Sequence, residues 1–420
     1  MKLFLVLPVV LSHGFALIPT LIRTSKGKML RTVDFAVLGM LLFYDVALVC
    51  EVLGVDYESE FFLSMLKMPP SLQLSVIAIL VFAPWLLRLG GEVLRVAAKP
   101  RRPRAASPRT TTRPYGVRNR LITIAMIGFS IGLAIYGIME IVRYGTPGIA
   151  RLRVGHLWGR GIIVLYLPMH FLAYHVSCPL QKRFQQIVVT SILLFCSVAA
   201  TLPIGQRTNF LLPFLIVLVS RRRLSFKKIV SAAVVLSIVA AVVLPLFDAQ
   251  YTHVQQPIGR WIQRLIYGDF SRAPVLATAI DNSPLVGTKL LPYPLAGYVY
   301  SLLFFAPRSI APFKGEPTAK YFTSYVAGTP VEETNWGFGV GLIEELILNM
   351  GVAMVPFGLL GWGMLLALLD IVSRRLPVLY IPSRLGAVWL MGYHLPAVLL
   401  TFGTMGIIGY LLYLLTVRYR

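Results

Sequence analysis

Along this chain, apolar stretches of roughly 17–25 residues alternate with short polar ones from one end to the other, the length a helix needs to cross hydrocarbon. The pattern predicts helices over 2–22, 33–54, 70–89, 121–142, 161–177, 187–204, 208–220, 229–247, 346–370, 385–402 and 404–417. That makes about 11 spans, within a range of 10–12 set by how boundaries are drawn. The last two segments are short enough to be one broken helix. The alternating ten-residue pattern of a membrane β-barrel is absent, so the predicted fold is an all-α polytopic bundle. Internal repeats, the hint of symmetric halves in many secondary transporters, are not evident.

Composition agrees with this reading. Hydrophobic residues make up 57% of the chain and charged residues 14%, whereas a soluble domain is about a quarter charged. The three cysteines, Cys50, Cys178 and Cys196, lie in or beside apolar segments without metal-ligand spacing. They read as small core residues. The first segment, KLFLVLPVVLSHGFALIPTLI, has no extended basic region before it and no clear small-residue cleavage site. It reads as a retained helix.

The net charge of +23 raises the question of nucleic acid, but its distribution answers otherwise. Basic clusters at Arg23–Arg31, Arg88–Arg120, Lys182–Arg183, RRRLSFKK (221–228), Arg374–Arg384 and the terminal RYR alternate with poorly basic or acidic loops such as VDYESE. The positive-inside rule places these clusters in the cytoplasm. The segment KPRRPRAASPRTTTRPYG, in the basic loop 90–120, reads as a disordered orienting loop resting on anionic lipid. Nucleic acid is not an expected partner.

Two outward loops break the pattern. RYGTPGIARLRVGHLWGR carries Arg143, Arg151, Arg153, His156 and Arg160 and no acid; either a helix pair is inverted or this loop meets an anionic ligand. The second loop, from Asp248 to about Glu345, holds eight of the seventeen acidic residues. A connection of that length predicts a small external subdomain and the place to look for chemistry. Within it, IGRWIQRLIYGDFSR reads as an amphipathic surface helix. The chain divides accordingly into an N-terminal bundle (1–247), a large loop subdomain (248–345) and C-terminal helices (346–420).

Three constellations carry candidate chemistry. In TLPIGQRTNFLL, Arg207 stands at an outer turn where a helix begins, with Gly205 allowing close backbone approach. A guanidinium beside outward-pointing amides suits phosphate or pyrophosphate. A snorkelling arginine is the alternative. In FFAPRSIAPFKGEPTAKYF, Arg308 and Lys314 are framed by prolines. In TNWGFGVGLIEELILNMG, Gly337, Gly339 and Gly341 lead into a helix carrying Glu344, Glu345 and Asn349. Two carboxylates there either complement the helix dipole or supply a general base or a hydroxyl ligand. His253, in DAQYTHVQQ, is a further base candidate. Asp45, His13, His170, His175 and His394 read as bundle residues, with Asp45 paired to a histidine or arginine of another helix.

The order of these motifs resembles a known family. A GxR at an outer helix start is followed by RRRLSFKK, then PRSIAPFKG in a long loop, then a glycine-rich run into EELILNMG. Over Gly205–Gly363 this looks like the bacterial oligosaccharide repeat-unit polymerases, the O-antigen (Wzy-type) polymerase family. The N-terminal half is similar in hydropathy only. The resemblance implies an inner-membrane glycosyltransferase of GT-C-like fold acting in lipopolysaccharide biosynthesis, with no metal or cofactor. Its expected partners are undecaprenyl-pyrophosphate-linked donor and acceptor glycans, membrane lipids and a polysaccharide chain-length regulator. The implied reaction lies at the periplasmic face: a hydroxyl of one lipid-linked unit attacks the anomeric carbon of another, and undecaprenyl pyrophosphate leaves. Arg207 and Arg308 are then candidates for the pyrophosphate, supported by Lys314, Gly205, Arg151 and Arg153. Glu344 or Glu345, with Asn349 and His253, would handle the acceptor hydroxyl. An O-antigen ligase using the same donor and a lipid-linked oligosaccharide flippase are the competing readings.

Overall fold

The computed structural model describes residues 2–26, 28–55, 64, 67–98, 117–144, 161–178, 183–204, 207–220, 263, 266–267, 271–334 and 337–417. Its long elements are α1 (Lys2–Ser25), α2 (Thr32–Val52), α3 (Pro70–Ala97), α4 (Val117–Tyr144), α5 (Gly161–Ser177), α6 (Arg183–Thr201) and α7 (Arg207–Ser220). After them come three short helices, α8 (Ala273–Asp281), α9 (Ala296–Leu303) and α10 (Thr318–Ala327). The chain closes with α11 (Leu342–Met350), α12 (Val355–Arg375), α13 (Tyr380–Trp389) and α14 (Leu395–Thr416). Among the described residues there is no strand.

Seven of the described helices are long and apolar enough to cross a membrane: α1, α2, α3, α4, α6, α12 and α14, the sixth with a short 3₁₀ turn at its start. Four of the expected eleven are not among them. α5 and α7 have 17 and 14 residues, short of the lengths of the seven, the segment 229–247 lies outside the described residues, and the last two predicted spans are one helix. The predicted helix 346–370 is interrupted at Gly351, whose φ of 88° ends α11 before α12 starts. The predicted break at 403 is also misplaced. Gly403 sits inside a continuous helix as part of a π-turn, Leu399–Gly403, and the interruption falls at 390–394, just before Pro396. What precedes it, α13, has ten residues; at 1.5 Å per residue it covers about 15 Å, half the hydrocarbon thickness.

Close helix pairing holds the bundle. Where α3 crosses α12, a side chain on Gly90 would collide with the Leu360 carbonyl, and one on Gly363 with the Leu87 carbonyl. The two backbones touch because neither residue has a Cβ, the usual route to tight helix contact where lipid offers no hydrophobic drive. One apolar core runs through the bundle and takes in Leu276 of α8 and Phe322 of α10. The described part of 248–345 is thus packed into the same core as the long helices.

The ends carrying the basic clusters are tied by an ionic lattice. Asp370 of α12 accepts from the backbone N–H and hydroxyl of Thr32 (2.8 and 2.6 Å) and from Arg95 of α3 (2.9 Å). Arg88 bonds to Asp34 (2.9 Å), and Arg31 pairs with Glu92. Arg384, 1% exposed, donates to the Leu30 carbonyl and lies 3.3 Å over the Tyr380 ring. Each buried charge there has an opposite charge or carbonyl facing it, which permits its burial.

Gly90→Leu or Gly363→Leu should separate α3 from α12 at a cost of at least about 1–3 kcal/mol, the usual penalty of overpacking. A Cβ at Gly128 meets nothing within 4 Å, so Gly128→Leu serves as control. Thermal unfolding in detergent should show the first two variants losing stability while the third does not; an unchanged melting curve for Gly363→Leu would refute the close-contact assignment.

Candidate functional site

The glycine-rich segment 337–341 leads inward to Leu342, and α11 then rises back toward the start of α12. Its first free amide, that of Leu342, donates to the carbonyl of Leu390 at the end of α13 (2.8 Å). Its other end lies beside Leu285 and Val286, with Gly287 donating to the Met350 carbonyl (2.8 Å). The first residue of α14, Leu395, donates its amide to Oε1 of Glu345 (3.1 Å). Three helix ends therefore meet inside the bundle and satisfy one another's open backbone groups.

Opposite this joint, α2 contains a π-turn at Leu41–Asp45. The Phe43 carbonyl accepts from the backbone N–H of Arg272 (3.0 Å), just before α8. The same turn aims Tyr44 at α11, where its hydroxyl donates to Glu344 (2.9 Å to Oε1, 3.0 Å to Oε2). Arg272 donates from Nη1 to the carbonyl of Gly339 (3.1 Å) and lies 5.9 Å from the ring centroid of Tyr393. Glu344 and Tyr44 are 0% exposed, and Glu345 1%. Sequence reading passed over Arg272 because it ends a segment read as a surface helix; a basic residue directly before an apolar run opening with proline was the available signal.

The two carboxyls differ in surroundings. Glu344 is held by the Tyr44 hydroxyl, with the positive charge of Arg272 acting on it. Glu345 takes the Leu395 amide on Oε1, and among the described residues its Oε2 has no hydrogen-bond partner. A carboxyl shielded from water and oriented by a phenol is the kind of group that serves as a general base.

The other predicted site residues are placed as follows. Asn349, 0% exposed, accepts from the Gly297 amide (2.9 Å) at the start of α9 and donates to the Glu345 carbonyl (2.8 Å). Lys314 caps the far end of α9, donating to the carbonyls of Leu303 (3.4 Å), Phe304 (3.3 Å) and Ala306, with its ammonium over the Tyr300 ring. Arg308 is exposed and paired with Glu316. Glu344, Glu345 and Asn349 thus share one helix, Lys314 reaches them only through α9, and Arg308 stands apart at the surface. Arg207 is the first residue of α7, but its side chain lies outside the described residues. Gly205, Arg151, Arg153 and His253 lie outside them altogether. Asp45 faces His13 of α1 at 2.7 Å, and the other ring nitrogen of His13 lies 3.0 Å from the Leu80 carbonyl. Among the described residues, no three His, Cys, Asp or Glu side chains are grouped as metal ligands would be.

Glu345→Gln keeps an oxygen for the Leu395 amide, whereas Glu345→Ala leaves that buried donor unpaired, at a cost of about 1–3 kcal/mol. Thermal unfolding in detergent should show Glu345→Ala melting below Glu345→Gln; equal melting temperatures would contradict the bond between Glu345 and the start of α14.

Comparison with protein-family models, curated proteins and solved structures finds no match for this chain.

Proposed function

We propose that the chain is a membrane glycosyltransferase that joins undecaprenyl-pyrophosphate-linked oligosaccharide repeat units at the periplasmic face of the bacterial inner membrane. The observation carrying this reading is Glu344: a fully buried carboxyl bonded to the Tyr44 phenol, on the helix of the motif EELILNMG. The motif order over Gly205–Gly363 supports it. In the proposed step the acceptor hydroxyl forms a bond to the anomeric carbon of the donor and gives its proton to Glu344. The bond from that carbon to the pyrophosphate oxygen breaks, and the electron pair leaves with undecaprenyl pyrophosphate. Arg207, at the start of α7, and Arg308, whose exposed pairing with Glu316 can exchange for phosphate, take the charge that develops on the leaving group. Tyr44 and Arg272 hold the Glu344 carboxylate.

One observation favours a second reading. α13 and α11 are half-length elements whose ends meet inside the bundle, the arrangement with which many secondary transporters form a substrate site. A lipid-linked oligosaccharide flippase would use such a joint to move the glycan across.

The discriminating experiment is gel analysis of surface polysaccharide in a deletion strain complemented with variants. A polymerase predicts collapse of the ladder to a single repeat unit. Loss of all capped material would instead indicate a flippase or ligase. On purified protein with lipid-linked repeat units, Arg207→Ala should lose on the order of a hundredfold in rate, the cost of removing a donor aimed at developing charge. Arg207→Lys should remain impaired because the planar fork is lost, and Glu344→Gln should be inactive yet folded. Near-normal polymer from Arg207→Ala or Glu344→Gln would remove that residue from the reaction.

A further inference from the structure

The Glu344 cluster is closed on every side that the structure describes. Glu344, Tyr44, Val340 and Leu342 are 0% exposed and Arg272 is 5% exposed. A group meant to act on a substrate has to be uncovered, and the segment able to do this is the glycine run 337–341. At its α11 end it is anchored: the Gly341 backbone bonds to Glu344, the Gly341 carbonyl accepts from the Glu345 amide, and Leu342 donates to Leu390. Ahead of that anchor, Phe338 donates its amide to Thr323 of α10 (2.7 Å) and the Gly339 carbonyl accepts from Arg272. The Arg272 guanidinium rests directly on the Gly339 backbone, so closely that a Cβ there would collide with it.

Arg272 is also the residue on which the surrounding pieces converge. Its backbone amide is bound to the π-turn of α2, its guanidinium lies over Tyr393 in the break before α14, and its charge acts on Glu344. The side chain therefore bonds to the covering segment, faces the interruption behind it and acts through its charge on the carboxyl beneath. That hydrogen bond to the cover runs to a neutral carbonyl. A phosphate oxygen is a stronger acceptor for the same fork, since both partners are then charged.

We propose that Arg272 is an anion-operated latch. In the closed state its guanidinium holds the 337–341 segment down over Glu344 through the Gly339 carbonyl. An oxyanion of the phosphate or pyrophosphate class takes that carbonyl's place on Arg272, the glycine segment lifts, and Glu344 is uncovered only when the anionic ligand is present. Arg272 is a positioning residue in the closed state and a ligand for the anion in the open one. The inference rests on reading the cluster as a place where a pyrophosphate-bearing substrate is handled, and it supplies the coupling between arrival of that substrate and exposure of the base. Glycines at 337, 339 and 341 suit such a segment because they impose little side-chain bulk on either position.

The test follows opening without following polymer. Val340→Cys is placed in a background carrying Cys50→Ala, Cys178→Ala and Cys196→Ala, and maleimide labelling is timed on the full-length purified protein, with Leu346→Cys as a reporter of global unfolding. With Arg272 present, labelling of Val340→Cys should be slow and should quicken on adding inorganic pyrophosphate. Arg272→Gln should quicken it roughly tenfold or more without pyrophosphate, as expected when a hydrogen bond to a charged group is lost, and should abolish the response to pyrophosphate. Gly339→Ala should open the segment from the other side by displacing the guanidinium. Leu346→Cys should stay unlabelled throughout. Equal labelling of the Arg272 and Arg272→Gln proteins would overturn the latch. So would the lack of any pyrophosphate response when Arg272 is present, a measurement that holds even if Arg272→Gln fails to fold. A normal latch in a strain whose ladder is unaffected by deletion would remove the polymerase reading and leave the latch standing.

Discussion

A helix that ends inside a membrane bundle leaves backbone donors or acceptors where no bulk water can reach them, and this structure is organised around that constraint. The amide at the start of α11 takes the last carbonyl of α13, and the amide at the start of α14 takes the carboxyl of Glu345. None of these three ends is satisfied alone. Each unpaired group buried there would cost about 1–3 kcal/mol, so the three elements are bound to occur together. The placement of Glu344 follows, since it precedes Glu345 on the same turn and is thereby turned toward α2.

The π-turn of α2 belongs to the same system. Widening the helix at Leu41–Asp45 brings the Phe43 carbonyl to the Arg272 amide and aims Tyr44 at Glu344, while Asp45 is left facing His13. π-turns of this kind recur at functional positions because the extra residue re-aims its neighbours. At the basic end of the bundle the logic is electrostatic instead. Asp370 gathers Thr32 and Arg95, and Arg384 is buried against Leu30 and Tyr380, fixing α2, α3, α12 and α13 against one another below the joint.

Lys314 and Asn349, candidate ligands by sequence, also fasten the fold. Lys314 closes the last turn of α9 and Asn349 holds its first, so α9 is clamped at both ends. Leu295, in the left-handed region with φ 67°, donates to the Asn349 carbonyl (3.2 Å). A polar side chain in an apolar chain draws attention in a sequence for either reason, and composition does not separate binding from clamping.

What the sequence by itself determined is the membrane bundle of helices. Long apolar runs leave the backbone only one way to satisfy its hydrogen bonds in hydrocarbon, and α1, α2, α3, α4, α6 and α12 stand close to where hydropathy puts them. The motif TNWGFGVGLIEELILNMG was also legible as a glycine approach to a helix bearing two acids, because a glycine run and a charged first turn are local signals. Tertiary structure alone decided the rest. Hydropathy averages over windows and so ran past Gly351, where one positive φ ends a helix, and past 390–394, where apolar composition continues through the break. Arg272 stayed hidden for the same reason. Its role arises from Phe43, from Gly339 and Glu344, and from Tyr393, three parts of the chain that only folding brings around one arginine.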